Sequence, residues 1–312
     1  LSIGRGDTDR GGAVSPVPPA LPAGLEGRAL NVLSIQSTVT YGRVGNRAAV
    51  PVLERLGHEV WPIDTVAFSN HPAHGGFRGR VVPAAEVAAL VDGLDARGVL
   101  GRCDALLSGY LGDPATAAVV ADAARRVRAA NPGALYCCDP VIGEVGRGVY
   151  VRPGIPEAFR DELVPLSDVI TPNPFELELL AGVAPATVES AHAAARALLR
   201  PGGPGLVVAT GLRPAEAPGE LAVLAATRGE AWVIRHPRRA VRVWGTGDAF
   251  AALFLGAYLG PRDLRGALEH AVAALDEVLA LAEAEAADEL PLAAAGDAIA
   301  RPRTRYGAER LG

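Results

Sequence analysis

Short continuous apolar runs alternate with helical stretches along most of this chain, and that alternation leaves few architectures open. Residues 30–35, 59–66, 105–107, 135–138, 169–170 and 206–209 are predicted strands. Between them, 45–56, 86–95, 115–130 and 175–180 read as helices, the last beginning after Pro174, a favoured first-turn residue. Asn131-Pro132-Gly133 stops the third. Strands without polar alternation, each followed by a helix, belong to a mostly parallel sheet covered on both faces. Residues 221–226 and 231–235 flank Thr-Arg-Gly-Glu and form a predicted hairpin. From Asp248 to about Ala300 the chain reads as helix throughout. The expected fold is α/β, with a central, mostly parallel sheet between two helical layers.

In such sheets ligands bind beyond the carboxyl ends of the strands. Polar residues gather there: Gln36-Ser37, Ser108-Gly109-Tyr110, Asp139, Thr171-Pro172-Asn173 and Thr210-Gly211. Five ends carrying a hydroxyl, amide or carboxylate exceed what loops require, and they mark one rim of one site. A second signal comes later. Gly245-Thr246-Gly247-Asp248 opens directly into an apolar helix. A helix start offers unpaired N–H groups and partial positive charge, and glycine lets a ligand approach the backbone. That geometry suits a phosphate. Asp248 would repel one, so its functional use is as a base taking a proton from a hydroxyl beside the arriving phosphoryl group. The plain alternative is a favourable helix-start Asp with nothing bound.

Composition removes several function classes. The 312 residues are 49% hydrophobic and 21% charged, ordinary for a globular protein of one large or two small domains. A net charge of −5 argues against a nucleic-acid partner, and no apolar stretch is long enough to span a membrane. Cys103, Cys137 and Cys138 lack zinc-site spacing and sit in apolar runs, as reduced core thiols of a cytoplasmic protein do. There is no lysine, which excludes a P-loop and a pyridoxal-phosphate Schiff base. Residues 1–28 are expected to be a disordered extension, with Pro16, Pro18, Pro19 and Pro22 interrupting any signal-peptide core. A single domain then covers 29–302, and 303–312 is a tail.

Several segments coincide with one family. Ser34-Ile35-Gln36-Ser37, Phe68-Ser69-Asn70-His71, Ser108-Gly109-Tyr110-Leu111-Gly112, Cys138-Asp139-Pro140-Val141-Ile142-Gly143, Thr171-Pro172-Asn173-Pro174-Phe175-Glu176-Leu177-Glu178 and Gly245-Thr246-Gly247-Asp248 resemble pyridoxal kinase in order and spacing. The last tetrapeptide marks only the wider ribokinase-like superfamily, with its three-layer fold. The Ile-Gln-Ser, Phe-Ser-Asn-His and Ser-Gly-Tyr-Leu-Gly segments point to the pyridoxal branch.

The resemblance implies ATP- and Mg²⁺-dependent phosphorylation of the 5′-hydroxyl of pyridoxal, with pyridoxine and pyridoxamine as further acceptors, in vitamin B6 salvage by a cytoplasmic homodimer. It makes Asp248 the catalytic base, with the amides of Gly245, Thr246 and Gly247 as an anion hole. Ser37 would hydrogen-bond the pyridine, and Val44, Val66, Phe68 and Tyr110 would line the vitamer pocket. Asp139, Tyr150, Thr171, Asn173, Glu176 and Thr210 match ATP-site positions, together with Gly245 and Gly247, and residues 236–243 would flank the adenine. Asp139 and Glu176 are the magnesium candidates, since Mg²⁺ takes few carboxylates and keeps its waters. Where many relatives have Thr after Phe-Ser-Asn-His, this chain has Pro72, so one hydrogen bond to the vitamer is missing unless His74 replaces it. A kinase of hydroxymethylpyrimidine or another small alcohol, or a vitamer-binding protein of low turnover, stays open at this point. Removing residues 1–28 is expected to leave melting temperature and activity near full-length values; a large drop in melting temperature would mean that the segment packs on the domain.

Overall fold

The computed structural model describes residues 29–215 and 217–312, so the expected N-terminal extension lies outside the described residues. The chain runs β1 (Asn31–Tyr41), α1 (Asn46–Arg55), β2 (Glu59–Asn70), β3 (Gly79–Val81), α2 (Ala84–Ala96), β4 (Cys103–Ser108), α3 (Ala115–Ala130) and β5 (Leu135–Cys138). A small hairpin follows, β6 (Gly143–Glu144) and β7 (Gly148–Val149), then irregular helix over 155–166 and β8 (Val169–Ile170). The second half contains α4 (Pro174–Ala181), α5 (Val188–Leu198), β9 (Leu206–Leu212), β10 (Glu220–Ala226), β11 (Ala231–Pro237), α6 (Thr246–Leu259), α7 (Leu264–Ala284), α8 (Gly296–Ala300) and β12 (Glu309–Leu311).

Ten strands form one sheet in the order β12-β11-β10-β9-β8-β5-β4-β1-β2-β3. The six from β9 to β2 are mutually parallel, and antiparallel strands close both edges. Side chains alternate between two cores, because successive strand residues point to opposite faces. Leu33, Leu106, Tyr136 and Cys138 join the core under α2, α3, α4 and α5. Val32, Ala105, Leu107 and Cys137 join the core under α1, α6 and α7. All three cysteines are buried and free.

Helix α6 is apolar around its circumference and buried from Ala249 to Ala257. A helix without a polar face must sit inside the molecule. Here it lies between the sheet and its neighbours α1 and α7. No described helix is long and apolar enough to cross a membrane.

Two regions depart from the sequence expectation. The chain beyond Asp248 is not helical throughout: residues 285–295 leave the helix between α7 and α8. The break begins at Ala286, with φ 49°, and turns two carboxylates toward the end of β1. Tyr41 Oη donates to Asp288 at 2.7 Å and Arg43 N–H to Glu289 at 2.9 Å. Nor is 303–312 merely a tail. Glu309–Leu311 pairs antiparallel with β11 and so covers an otherwise open sheet edge.

Candidate active site

Strand β1 is the switch point of the sheet. It pairs with β4 on one side and β2 on the other, and its register with β4 ends at Ile35↔Ser108. Beyond that, β1 continues to Tyr41 against β2 alone, so a crevice opens between the ends of β1 and β4. Ser37 is therefore not at a strand end as expected. It sits in a register shift against β2, between Gln36 and Thr38, the kind of irregularity that re-aims a side chain beside a site.

Apolar residues on one side of this crevice form a cluster separate from both cores: Val39, Val44, Val66 and Phe68, with Tyr110, Val81 and Trp244 packed against them. The sequence expectation thus finds Val44, Val66, Phe68 and Tyr110 gathered in space, although they come from the turn before α1, from β2 and from the segment after β4. Gly112 is required beside them, since a Cβ there would lie 2.5 Å from Val66 Cγ1.

The glycine turn closes the floor. Gly245 is the N-cap of α6 with φ 82°, and a Cβ on it would fall 1.7 Å from the Arg43 carbonyl oxygen. Gly247, by contrast, meets nothing within 4 Å, so the space above it is open. Asp248 lies in the first turn of α6. Burial pushes its carboxyl up to about 6, while the N–H groups of Gly45 and of Asp248 itself favour the anion.

Two more carboxylates stand nearby. Asp139 is buried; Thr171 Oγ1 donates to its Oδ1 at 2.9 Å, and Oδ2 accepts no hydrogen bond among the described residues. Burial, then the charge of Asp248, pushes Asp139 up to about 8. Glu176 is held differently. With Asn173 it forms a capping box at the start of α4. Its Oε2 accepts from Asn173 N–H at 2.9 Å and its Oε1 from Ile142 N–H at 3.0 Å. Burial and then Asp139 push it well above the usual carboxylate range, against those N–H groups. Asn173 also donates from Nδ2 to the Gly143 carbonyl at 2.8 Å and so ties the β6–β7 hairpin to this rim. The Tyr150 hydroxyl, just past the hairpin, is held above its ordinary value by burial and by Glu176, Glu144, Asp248 and Asp139. Thr210 lies within β9, and its N–H donates to the Pro172 carbonyl at 2.9 Å.

The sequence reading missed the aromatic cover. Trp244, adjacent to the glycine turn, stacks on His71 with centroids 4.9 Å apart, and the Arg147 guanidinium lies 5.2 Å from its ring. Burial, His74 and Arg147 push His71 down to about 4, so it is neutral. No group of three or more His, Cys, Asp or Glu able to hold a metal occurs among the described residues. His74 follows Pro72 in the same short turn and faces a carboxylate. Its Nε2 lies 3.1 Å from Glu289 Oε1, and Pro72 only opens the short 3₁₀ turn Pro72–His74.

Residues 90–289 match the family model described as phosphomethylpyrimidine kinase. Pyridoxal kinase PdxY of Rubrobacter xylanophilus is 49% identical over 288 residues, covering 92% of this chain and 99% of that protein. Pyridoxal kinase PdxY of Deinococcus radiodurans is 47% identical, covering 90% and 96%. The chain belongs to the pyridoxal kinase family. Among solved structures, pyridoxal kinase from Leishmania donovani in complex with ADP and pyridoxamine superposes with a TM-score of 0.84 at 30% identity, covering 90% of this chain and 99% of that one.

The close approach at Gly245 makes a direct test. Gly245→Ala combines a positive φ with a steric overlap on the Arg43 carbonyl, so it is expected to lower the melting temperature by several degrees or abolish folding. Gly247→Ala, which meets no protein atom, should leave stability within about 1 kcal/mol of wild type.

Proposed function

We propose that this member of the pyridoxal kinase family transfers the γ-phosphoryl group of ATP to the 5′-hydroxyl of pyridoxal, with Asp248 as the general base. The observation that carries the reading is one juxtaposition. A carboxylate in the first turn of a buried helix stands beside an open glycine turn and an apolar cluster of Val44, Val66, Phe68 and Tyr110.

A flat pyridine fits against that cluster, with Ser37 at the bulge offering a hydroxyl to its polar edge. Asp248, pushed up to about 6, is still ionised at neutral pH yet more basic than an exposed Asp, which suits removal of a proton from a hydroxyl. The N–H groups of Gly245, Thr246 and Gly247 at the start of α6 offer stabilisation to charge on the transferred phosphoryl group. Asp139, Tyr150, Thr171, Asn173, Glu176 and Thr210 lie on the rim proposed for the nucleotide.

Magnesium fits this rim. Asp139 and Glu176 are buried carboxylates; Asp248 raises the first and Asp139 raises the second, a crowding of negative charge that a divalent cation relieves. Asp139 has an uncommitted oxygen, whereas both Glu176 oxygens receive backbone N–H groups, so Asp139 would hold the ion and Glu176 would supply charge. When bound with ATP, Mg²⁺ screens the phosphate oxygens. The homodimer and the cytoplasmic location implied by the resemblance belong to the same proposal. The relatives at 42–49% identity are named pyridoxal kinases, which favours pyridoxal over hydroxymethylpyrimidine as the acceptor. Measurable turnover with pyridoxal would exclude a protein that only binds the vitamer.

Asp248→Asn is expected to cut kcat by about 10² to 10⁴-fold with pyridoxal affinity largely kept; a loss below about tenfold would remove Asp248 as base. Calorimetric titration of Asp139→Ala should show weakened Mg·ATP binding and nearly intact pyridoxal affinity, whereas equal losses for both ligands would point to a structural defect.

A further inference from the structure

Under the floor of the site lies a buried polar network to which the phosphoryl transfer proposed for this chain assigns no role. Its centre is Asn46, the first residue of α1 and 4% exposed. Asn46 Oδ1 accepts from Ser34 Oγ at 2.8 Å, and the same hydroxyl accepts from Gln36 Nε2 at 2.9 Å. Asn46 Nδ2 donates to Asp64 Oδ1 at 2.8 Å and to the Ile63 carbonyl at 3.1 Å. One side chain thus ties the head of α1 to β1 through one end and to β2 through the other.

What this anchor holds in place is the turn immediately before it. Gly45 has φ 54°, and a Cβ there would lie 2.1 Å from the Ser37 carbonyl oxygen, so the turn is pressed against the bulge of β1. The turn also meets the glycine turn of α6, since Gly245 packs on Arg43 and Val44. The N–H of Gly45, the residue just before Asn46, favours the ionised Asp248 carboxylate, which lies in the first turn that Gly245 opens. Helices α1 and α6 therefore start side by side, and the position of one start sets where the functional group of the other stands.

We infer that Asn46 is a positioning residue for the kinase reaction: its side chain sets the height of the α1 start so that the Gly45 N–H orients the Asp248 carboxylate toward the acceptor hydroxyl. This rests on the reading of Asp248 as base. A neutral side chain suits the task, because it can donate to Asp64 and accept from Ser34 at once. Alanine would leave the Ser34 hydroxyl proton without its acceptor and Asp64 without the Asn46 amide, and would free the turn to shift. A carboxylate at 46 would meet the Asp64 carboxylate, and restoring one amide and one carboxylate in swapped order would rebuild the Ser34 and Asp64 contacts.

The test uses the full chain and four forms: wild type, Asn46→Ala, the swap Asn46→Asp with Asp64→Asn, and Asp248→Asn. Melting temperature, kcat and the KM values for ATP and pyridoxal are measured for each. For Asn46→Ala the expected result is a folded protein with kcat lowered about tenfold or more and KM for ATP within about twofold of wild type. The swap keeps the Ser34 and position-64 contacts but sets an acceptor against the Ile63 carbonyl, so it should recover part of the wild-type kcat, about threefold or more above Asn46→Ala, which a packing defect alone would not allow. Should Asn46→Ala fail to fold, the swap carries the test, and a folded swap whose loss falls equally on kcat and both KM values overturns the inference. It is overturned as well if folded Asn46→Ala keeps kcat within about threefold of wild type, or if its defect falls equally on kcat and both KM values. Asp248→Asn separates the two claims. If that variant is nearly inactive while Asn46→Ala is normal, the base stands and the positioning role falls. If Asp248→Asn stays active, both fall.

Discussion

The contact on which the site depends is backbone against backbone. The turn carrying Arg43, Val44 and Gly45 rests on the turn at Gly245, so closely that Gly245 tolerates no side chain, while Gly45 is pressed as tightly against Ser37 of β1. Both glycines take positive φ, which only glycine adopts without strain. Two helix starts can come this near because no Cβ stands between them. Asp248 follows directly, held in the first turn of α6 beside the Gly45 N–H.

Around that contact, the sheet and its cores supply rigidity. Helix α6 is buried along almost its whole length, so the position of its first turn is set by packing against the sheet, α1 and α7. The cleft arises where β1 stops pairing with β4 and runs on beside β2. The segment 285–295 supports the same corner from outside, with Asp288 and Glu289 receiving Tyr41 and Arg43. The break in the long C-terminal helical region therefore braces this corner, while Leu290, Leu292 and Ala295 of the same segment join the core under α1, α6 and α7.

Electrostatics divides the rim into two kinds of carboxylate. Burial raises Asp248 to about 6 while the N–H groups of Gly45 and Asp248 favour its anion, as the proposed role of base requires. Asp139, pushed up to about 8, and Glu176, held well above the usual carboxylate range, are raised by burial first and then by a neighbouring carboxylate, as the proposed magnesium site requires. Glu176 shows one residue with two uses: it closes a capping box at α4 and adds negative charge to the rim.

Much of this was legible in the sequence. Apolar runs at 135–138 and 169–170 and the helix at 115–130 coincide with the observed elements, because buried strands and long periodic helices are set by local pattern. The glycine turn before Asp248 was readable for the same reason: its backbone conformation is a local property. Other features depend on partners distant in the chain. Ser37 lies in a bulge, not at a strand end, because β1 outlasts its pairing with β4. The helix break at 285–295 and the strand at Glu309–Leu311 answer to Arg43 and to β11, which no local window includes. The contacts of Asn46 and Trp244 were hidden likewise, since each bridges elements remote in sequence. The sequence alone determined the layers, the glycine turn and the acid at its end. Only the tertiary structure decided how two glycine turns meet, because backbone packing between distant segments leaves no periodic trace in the chain.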